Sequence, residues 1–119
     1  MTTSDLNLAR ELLLGAYRDF NDRRMEQVLA RLHPAVEWAN GMEGGHVHGR
    51  EGVRAYWTRQ WAILDPHVEP LSIEPDSQGR LIVEVHQVVR DLAGLVLVDK
   101  IVHHAYRLAE GFIQRMDIE

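Results

Sequence analysis

The chain has 119 residues, of which 45% are hydrophobic and 26% are charged, a composition typical of one folded domain. Its net charge of −5 offers no basic surface for nucleic acid or an anionic membrane, and the lack of cysteine excludes disulfides and thiolate chemistry. No segment is apolar over the length of a membrane span, and the first residues contain no signal-peptide core. We therefore expect a single cytoplasmic domain over residues 1–119.

The first half of the sequence predicts three helices. We expect Ser4 to cap the first helix and Asp22 to cap a shorter second helix that ends at His33 and Pro34. Residues 35–40 alternate as a strand does, and a glycine-rich corner leads into a third helix that ends at 65–66. Apolar and aromatic residues at helical spacing mark the buried faces of the first and third helices: Leu6, Ala9, Leu13, Ala16, Tyr17, Phe20, and Val53, Tyr56, Trp57, Gln60, Trp61, Leu64.

The second half changes from helical to alternating periodicity and predicts four strands, over 67–75, 80–92, 95–108 and 112–118. Two long strands meet at Ala93 and Gly94, for which we expect a two-residue turn, and a three-residue loop is expected at Gly111. Helices followed by an antiparallel meander are typical of the α+β class.

Side chains alternate across a strand, so the long hairpin divides into two faces. The more apolar face, which we expect the helices to cover, contains Val85, Gln87, Val89, Val98, Lys100, Val102, His104, Tyr106 and Leu108. The opposite face contains Glu84, His86, Arg90, Asp99, His103 and Arg107. The last strand is expected to extend the apolar face through Phe112, Gln114, Met116 and Ile118.

A metal site was considered at the glycine-rich corner, where His46 and His48 precede Glu51. Glu51 falls in the first turn of the predicted third helix, where a negative charge is favourable, and no third ligand has suitable spacing. The sequence therefore predicts no metal. We expect His48 to lie at the mouth of any pocket and His46 to lie outside it.

The order of these elements, with residues 32–40, 48–57 and 87–118, resembles the SnoaL-like branch of the NTF2-like superfamily over essentially the whole chain. The resemblance implies an α+β cone, in which three N-terminal helices pack on a strongly curved, mixed and mostly antiparallel sheet that encloses a pocket. It also implies a homodimer. Members of the superfamily include ketosteroid isomerases, polyketide cyclases, dehydratases and epoxide hydrolases, as well as proteins that only bind or dimerise, so fold alone does not define an activity.

The resemblance to ketosteroid isomerases suggests roles for three residues. Tyr17 falls where an isomerase has the tyrosine that donates a hydrogen bond to the developing oxyanion, and His104 falls near the second donor. Asn40 falls where an isomerase has its aspartate base. Because an amide cannot accept a proton from carbon, the isomerase mechanism does not transfer unchanged.

His104 is the strongest candidate for acid/base chemistry, because it titrates near neutrality and lies on an otherwise apolar face. Burial would lower its pKa and favour the neutral form. The alternative is a core histidine bonded to Tyr17 or to the backbone.

Other residues are candidates for binding a ligand. Trp38, Trp57 and Trp61 offer flat apolar walls, or alternatively core or interface packing. Gln87 and Lys100 offer an amide and a charge, or alternatively lie at the rim in water. Tyr106, Met116 and His48 complete the predicted lining.

Three functions remain open from the sequence. The first is a cofactor-free enzyme of isomerase or lyase type that acts by acid/base chemistry on a small, largely apolar molecule with a ring or a carbonyl. The second is a dimeric protein that binds a small ligand without chemistry, which Asn40 favours. The third is a dimerisation module whose cavity is filled by side chains.

Overall fold

Three helices pack against one face of a six-stranded sheet in the computed structural model, which describes residues 2–119. The elements are, in chain order, α1 (Thr3–Asn21), α2 (Met25–Ala30), β1 (Leu32–Ala39), β2 (His46–His48), α3 (Gly49–Ile63), β3 (Leu64–Pro75), β4 (Leu81–Asp91), β5 (Val96–Ala109) and β6 (Phe112–Ile118). Within residues 2–119, no helix is both long and apolar enough to cross a membrane.

The strands are ordered β2-β1-β6-β5-β4-β3, and the sheet is not closed. Neighbouring strands are antiparallel except for β1 and β6, which are parallel. Helix α3 packs on β1 and α1 packs on β3, so the helices cover one side of the sheet. The predicted α+β fold with a mixed, mostly antiparallel sheet is confirmed.

The two faces predicted for the β4–β5 hairpin are confirmed, although the turn is not the predicted one. Val85 lies opposite Val102 and Gln87 opposite Lys100, as a two-residue turn would require. The chain instead closes a three-residue loop over 92–94, where the Asp91 N–H donates to the Leu95 carbonyl at 2.9 Å. A register shift beyond Val89 compensates for the extra loop residue. We call the helix-covered side of the sheet the inner face and the other side the outer face.

Strand β6 differs from its prediction at its beginning. Ala109 pairs with Phe112, so the turn has two residues, Glu110 and Gly111, both with positive φ, rather than a three-residue loop. A bulge at Gln114 follows, and it leaves Gln114 exposed while Ile113 is fully buried. Placing Gln114 on the inner face was therefore wrong, whereas Met116 is buried there opposite Tyr106.

Two predicted helix caps are also wrong. Thr2, not Ser4, caps α1, because its hydroxyl accepts from the Asp5 N–H at 3.1 Å while the Asp5 carboxylate accepts from the Thr2 N–H at 3.3 Å. Asp22 lies at the end of α1, and α2 begins after Arg24 without a side-chain cap.

The apolar stripe of α1 is buried as predicted and forms one core with α3 and the inner face. At one end of this core lies a buried carboxylate, Asp19, whose Oδ2 accepts from Arg31 Nε at 3.0 Å. Gly15 leaves the space that the Arg31 guanidinium occupies, because a Cβ at Gly15 would lie 2.4 Å from Arg31 Cζ.

Candidate functional site

A cavity of about 770 Å³ opens between the inner face and helices α1 and α3. Its volume is in the range of small-molecule sites. The lining is mostly apolar, with polar groups at a few positions. The side chains that line the cavity include Tyr17, Trp38, Asn40, His46, Tyr56, Trp57, Gln87, Lys100, Val102, His104, Tyr106, Met116 and Asp117.

Three buried polar side chains form a hydrogen-bonded chain in the cavity wall. The Tyr106 hydroxyl lies 2.8 Å from the Tyr17 hydroxyl, which lies 2.7 Å from Nδ1 of His104. The relative exposure of these residues is 2%, 5% and 7%. The Tyr17 and His104 rings are nearly parallel at 7°, and Tyr106 stands edge-on to both. The hydrogen bond between His104 and Tyr17, which was the alternative to an acid/base role, is thus present in the wall of a cavity.

The donor and acceptor of each hydrogen bond in this chain of side chains follow from its buried end, the Tyr106 hydroxyl. Among residues 2–119, the Tyr106 hydroxyl has no acceptor other than Tyr17, so its proton points to the Tyr17 oxygen. Tyr17 then donates its own proton to Nδ1 of His104, because each hydroxyl has one proton to give. The neutral imidazole therefore carries its proton on Nε2, for which the described residues offer no acceptor. His104 lines the cavity and its Nε2 is not one of the fully buried atoms without a partner, so we infer that the Nε2–H donor faces the cavity.

Burial sets the protonation states of the three groups. Desolvation, aided by the nearby His103, lowers the pKa of His104 to about 4. Desolvation also raises the pKa of Tyr106, and it raises that of Tyr17 well above its usual value, with Tyr106 adding to the effect. All three side chains are therefore neutral near pH 7, so the hydrogen-bonded chain carries no charge.

Nine of the eleven predicted site residues line the cavity, namely Tyr17, Trp38, Asn40, Trp57, Gln87, Lys100, His104, Tyr106 and Met116. Trp61 does not, because it stacks behind Trp57 with ring centroids 5.8 Å apart and lies beneath the Arg23 guanidinium at 5.1 Å. Trp38 meets Trp57 edge to face at 5.3 Å. The aromatic wall thus consists of two tryptophans backed by the third.

The positions of the two corner histidines are the reverse of the prediction. His48 ends β2, and its side chain is 70% exposed and outside the cavity lining. His46 lies at the rim, where Nε2 is 2.8 Å from Asp117 Oδ1. Arg115 bonds to Asp117 and lowers the pKa of that carboxyl. Strand β2 pairs with β1 so that His46 lies opposite Ala39, which lines the cavity, and His48 lies opposite Glu37, which does not.

Asn40 lies at the rim but its carbonyl is engaged in the loop. Oδ1 accepts from the backbone N–H groups of Met42 at 3.0 Å and Glu43 at 2.9 Å. This arrangement caps the turn that follows β1. The Asn40 side chain therefore has a structural role in addition to its place in the cavity lining.

Sequence reasoning missed several lining residues and one contact. Tyr56 was predicted to be buried but not to bind the loop, and its hydroxyl accepts from the Gly41 N–H at 3.1 Å. His46 and Asp117 come together from positions 71 residues apart in the chain, a contact that no local pattern indicates. Within residues 2–119, no three metal-ligating side chains are grouped to hold an ion.

The fold and this site define a class of protein: an α+β cone with a mostly apolar cavity and a buried polar chain in its wall. The SnoaL-like domain family matches residues 14–116, and the chain belongs to that family. No curated protein has a sequence that matches this chain significantly.

Solved structures share the fold over almost the whole chain. TerC, crystallised with polyporic acid, is 25% identical with a TM-score of 0.81, and the match covers 94% of this chain and 90% of TerC. A candidate polyketide cyclase from Pseudomonas putida is 18% identical with a TM-score of 0.79, covering 92% and 88%. A Mycobacterium tuberculosis protein in complex with estradiol-17beta-hemisuccinate is 18% identical with a TM-score of 0.78, covering 92% and 90%.

Proposed function

We propose that the protein binds a small cyclic molecule with a carbonyl or hydroxyl oxygen and acts on it as a cofactor-free enzyme of isomerase, cyclase or dehydratase type. The observation that carries this proposal is the position of His104 in the lining of a mostly apolar cavity, where Nδ1 accepts from Tyr17 and residues 2–119 offer no partner for Nε2–H. Support also comes from the family and from similar structures that hold small cyclic ligands.

In this proposal His104 donates a hydrogen bond to the oxygen on which negative charge develops. A neutral imidazole is a suitable donor, as it keeps its proton at the reacting oxygen. A hydrogen bond stabilises developing charge more strongly in an apolar cavity than in solution, because fewer water molecules compete to donate to the same oxygen. His104 would therefore stabilise an enolate or alkoxide more than the parent carbonyl, which is the requirement for catalysis.

The same geometry argues against His104 as a base. The lone pair of Nδ1 already accepts from Tyr17, and Nε2 carries the proton. To accept a proton at Nε2, His104 would need the other tautomer, with Nδ1–H donating to Tyr17 and Tyr17 donating to Tyr106. The buried Tyr106 hydroxyl proton would then have no acceptor among residues 2–119, which costs free energy. The acid/base role expected for His104 thus narrows to that of a donor. Tyr17, expected to contact the oxyanion itself, becomes a positioning residue that holds the imidazole.

The test is hydrogen–deuterium exchange at carbon next to a carbonyl, because it detects enolate stabilisation without a known product. Wild-type protein is expected to accelerate exchange of the α protons of 2-tetralone in D₂O, as followed by NMR. In this exchange deuteroxide or buffer from solution removes the proton from carbon, His104 donates a hydrogen bond to the enolate oxygen, and D₂O returns a deuteron to carbon. His104→Leu should lose the acceleration, roughly 100-fold for one lost donor of this kind. His103→Gln, on the outer face next in sequence, is the matched control. Equal exchange rates for His104→Leu and wild type would refute the proposed role.

A second candidate function is binding without chemistry, and Asn40 favours it. Asn40 is an amide whose oxygen accepts from the loop backbone, and Asp117, the only carboxylate that residues 2–119 contribute to the lining, is bound by Arg115 at the rim. A protein that binds 2-tetralone but does not accelerate its exchange would support this alternative. The cavity of about 770 Å³ beside His104 argues against the third option, a module whose cavity is filled by side chains.

We also propose that two chains associate through the outer face. Ile101 and Leu97 are half exposed there, and they lie among ion pairs such as His86–Asp99 at 2.7 Å. An apolar centre with a polar rim is the composition of a protein–protein interface. Light scattering should give twice the chain mass for wild type and the single mass for Ile101→Asp. A wild-type chain of single mass would exclude the dimer.

A further inference from the structure

Lys100 is the one lysine in the chain, and it lines the cavity. The other twelve basic side chains are arginines, and none of them is part of the lining. Lys100 therefore brings the only permanent positive charge to the cavity wall within residues 2–119. Its exposed side chain lies on the solvent side of the wall, whereas His104 is buried.

No carboxylate neutralises this charge in the described part of the chain. The acidic neighbours Asp99 and Glu84 belong to the outer face, where they pair with His86 and His103. Asp117, at the rim, is bound by Arg115 and His46. Across residues 2–119 no acidic oxygen lies within 4.0 Å of the Lys100 ammonium, although the whole chain has an excess of acidic groups.

Gln87 and His104 define the geometry around Lys100. Gln87 is the cross-strand partner of Lys100, so an amide and an ammonium lie side by side on the inner face. His104 is four residues further along β5 on the same face, about 13 Å away between Cα positions. Val102 lies between them and is buried, so the wall between the two polar ends is apolar.

We propose that Lys100 and Gln87 form an anion-binding end of the cavity. Its ligand class is then an elongated ring compound with an anionic group at Lys100 and an oxygen acceptor at His104. This inference rests on the proposed donor role of His104 and adds the charge and shape of the ligand. A carboxylate or an ionised acidic enol fits the Lys100 end, and a carbonyl or hydroxyl oxygen fits the His104 end.

The probe is a matched pair of flat molecules, 6-acetyl-2-naphthoate and its neutral amide, 6-acetyl-2-naphthamide. Both offer an acetyl oxygen to His104, and only the first carries a negative charge at the opposite end. Calorimetry at low ionic strength should show that wild type binds the acid about fivefold more tightly than the amide, as expected for one partly exposed charge pair. Added salt should reduce this preference because it screens exposed charges.

Variants distinguish an effect of the positive charge at Lys100 from an effect of the net charge of the protein. Lys100→Met should weaken binding of the acid about fivefold and leave that of the amide unchanged, while Lys100→Arg should preserve the preference. Arg90→Met is the matched control, because it removes one positive charge from the outer face of the same hairpin. It should alter neither affinity. Equal binding of the acid by Lys100→Met and wild type would overturn the inference.

A second measurement uses the single lysine directly. Acetylation by an N-hydroxysuccinimide ester modifies only Lys100 and the amino terminus, so mass spectrometry resolves the two sites. The acid should protect Lys100, and the amide should not. Equal acetylation of Lys100 with and without saturating acid overturns the inference.

The outcomes distinguish this inference from the function on which it rests. If His104→Leu weakened binding of the amide but Lys100→Met did not weaken binding of the acid, the donor role of His104 would stand. The proposed anion-binding end would then be refuted. Both proposals would be overturned for ring compounds of this size if wild type bound neither compound. They would also be overturned if His104→Leu bound each compound as tightly as wild type does.

Discussion

The buried chain from Tyr106 through Tyr17 to His104 makes a quantitative prediction about two tyrosine variants. Tyr17→Phe removes the central hydroxyl, so Nδ1 of His104 loses its donor and the Tyr106 hydroxyl loses its acceptor. Tyr106→Phe removes only the terminal donor, and Tyr17 still donates to His104. The two substitutions delete the same atom type, yet they leave different numbers of polar groups without partners.

The magnitudes follow from the cost of buried unpaired groups, which is about 1–3 kcal/mol each. Tyr17→Phe leaves two such groups and should lower the free energy of unfolding by about 3 kcal/mol. Tyr106→Phe loses one hydrogen bond and should cost about 1 kcal/mol. In the double variant the orphaned Tyr106 hydroxyl is gone, so the total cost should be about 2 kcal/mol, less than that of Tyr17→Phe alone.

Urea denaturation of the four proteins at pH 7, with unfolding free energies extrapolated to water, measures this cycle. The signature is that Tyr106→Phe destabilises wild type but stabilises the Tyr17→Phe variant. Additive costs, with the double variant near 4 kcal/mol, would refute the assignment of Tyr17 as the shared partner of the other two groups.

Three further predictions concern other groups. Because the folded-state pKa of His104 lies near 4, below its unfolded value of 6.5, stability should be full above pH 6.5 and fall by about 3 kcal/mol towards pH 4. In His104→Gln, which has no group titrating at this position, the free energy of unfolding should fall less between pH 6.5 and pH 4, as measured by urea denaturation at each pH. Arg31→Met leaves Asp19 buried with its main partner removed and should cost about 3 kcal/mol in thermal unfolding, part of which Asp19→Asn restores. Asn40→Asp keeps the oxygen that caps the loop and should stay within about 0.5 kcal/mol of wild type, whereas Asn40→Ala should cost about 1 kcal/mol by urea denaturation.

Much of the fold follows from local pattern. The apolar stripe of α1 and the alternation of β4 and β5 predict the buried faces, because burial of one side of an element requires apolar residues at the period of that element. The lengths of the turns could not be predicted from local pattern in the same way. The loop at 92–94 and the bulge at Gln114 depend on how backbone hydrogen bonds close between strands, and several loop lengths are compatible with the same residues.

The candidate site shows the same division. The inner-face positions of Lys100, His104 and Tyr106 follow from the alternation of β5, and Tyr17 from the stripe of α1. His46 was placed wrongly, because its contact with Asp117 joins β2 to β6 across 71 positions of the chain. The path of the glycine-rich corner decides which histidine reaches the rim, and glycine backbones have no strong local preference.

The sequence by itself determined the buried stripe of α1 and the two faces of the β4–β5 hairpin, because periodicity and hydrophobicity are local properties. The tertiary structure alone decided what those side chains do to one another. Tyr17, His104 and Tyr106 come from a helix and a strand more than 80 residues apart, and only their packing aligns the hydroxyls and the imidazole within 2.8 Å. That alignment directs the Tyr106 proton inward and leaves Nε2–H of His104 facing the cavity, a consequence of desolvation and geometry that no linear pattern encodes.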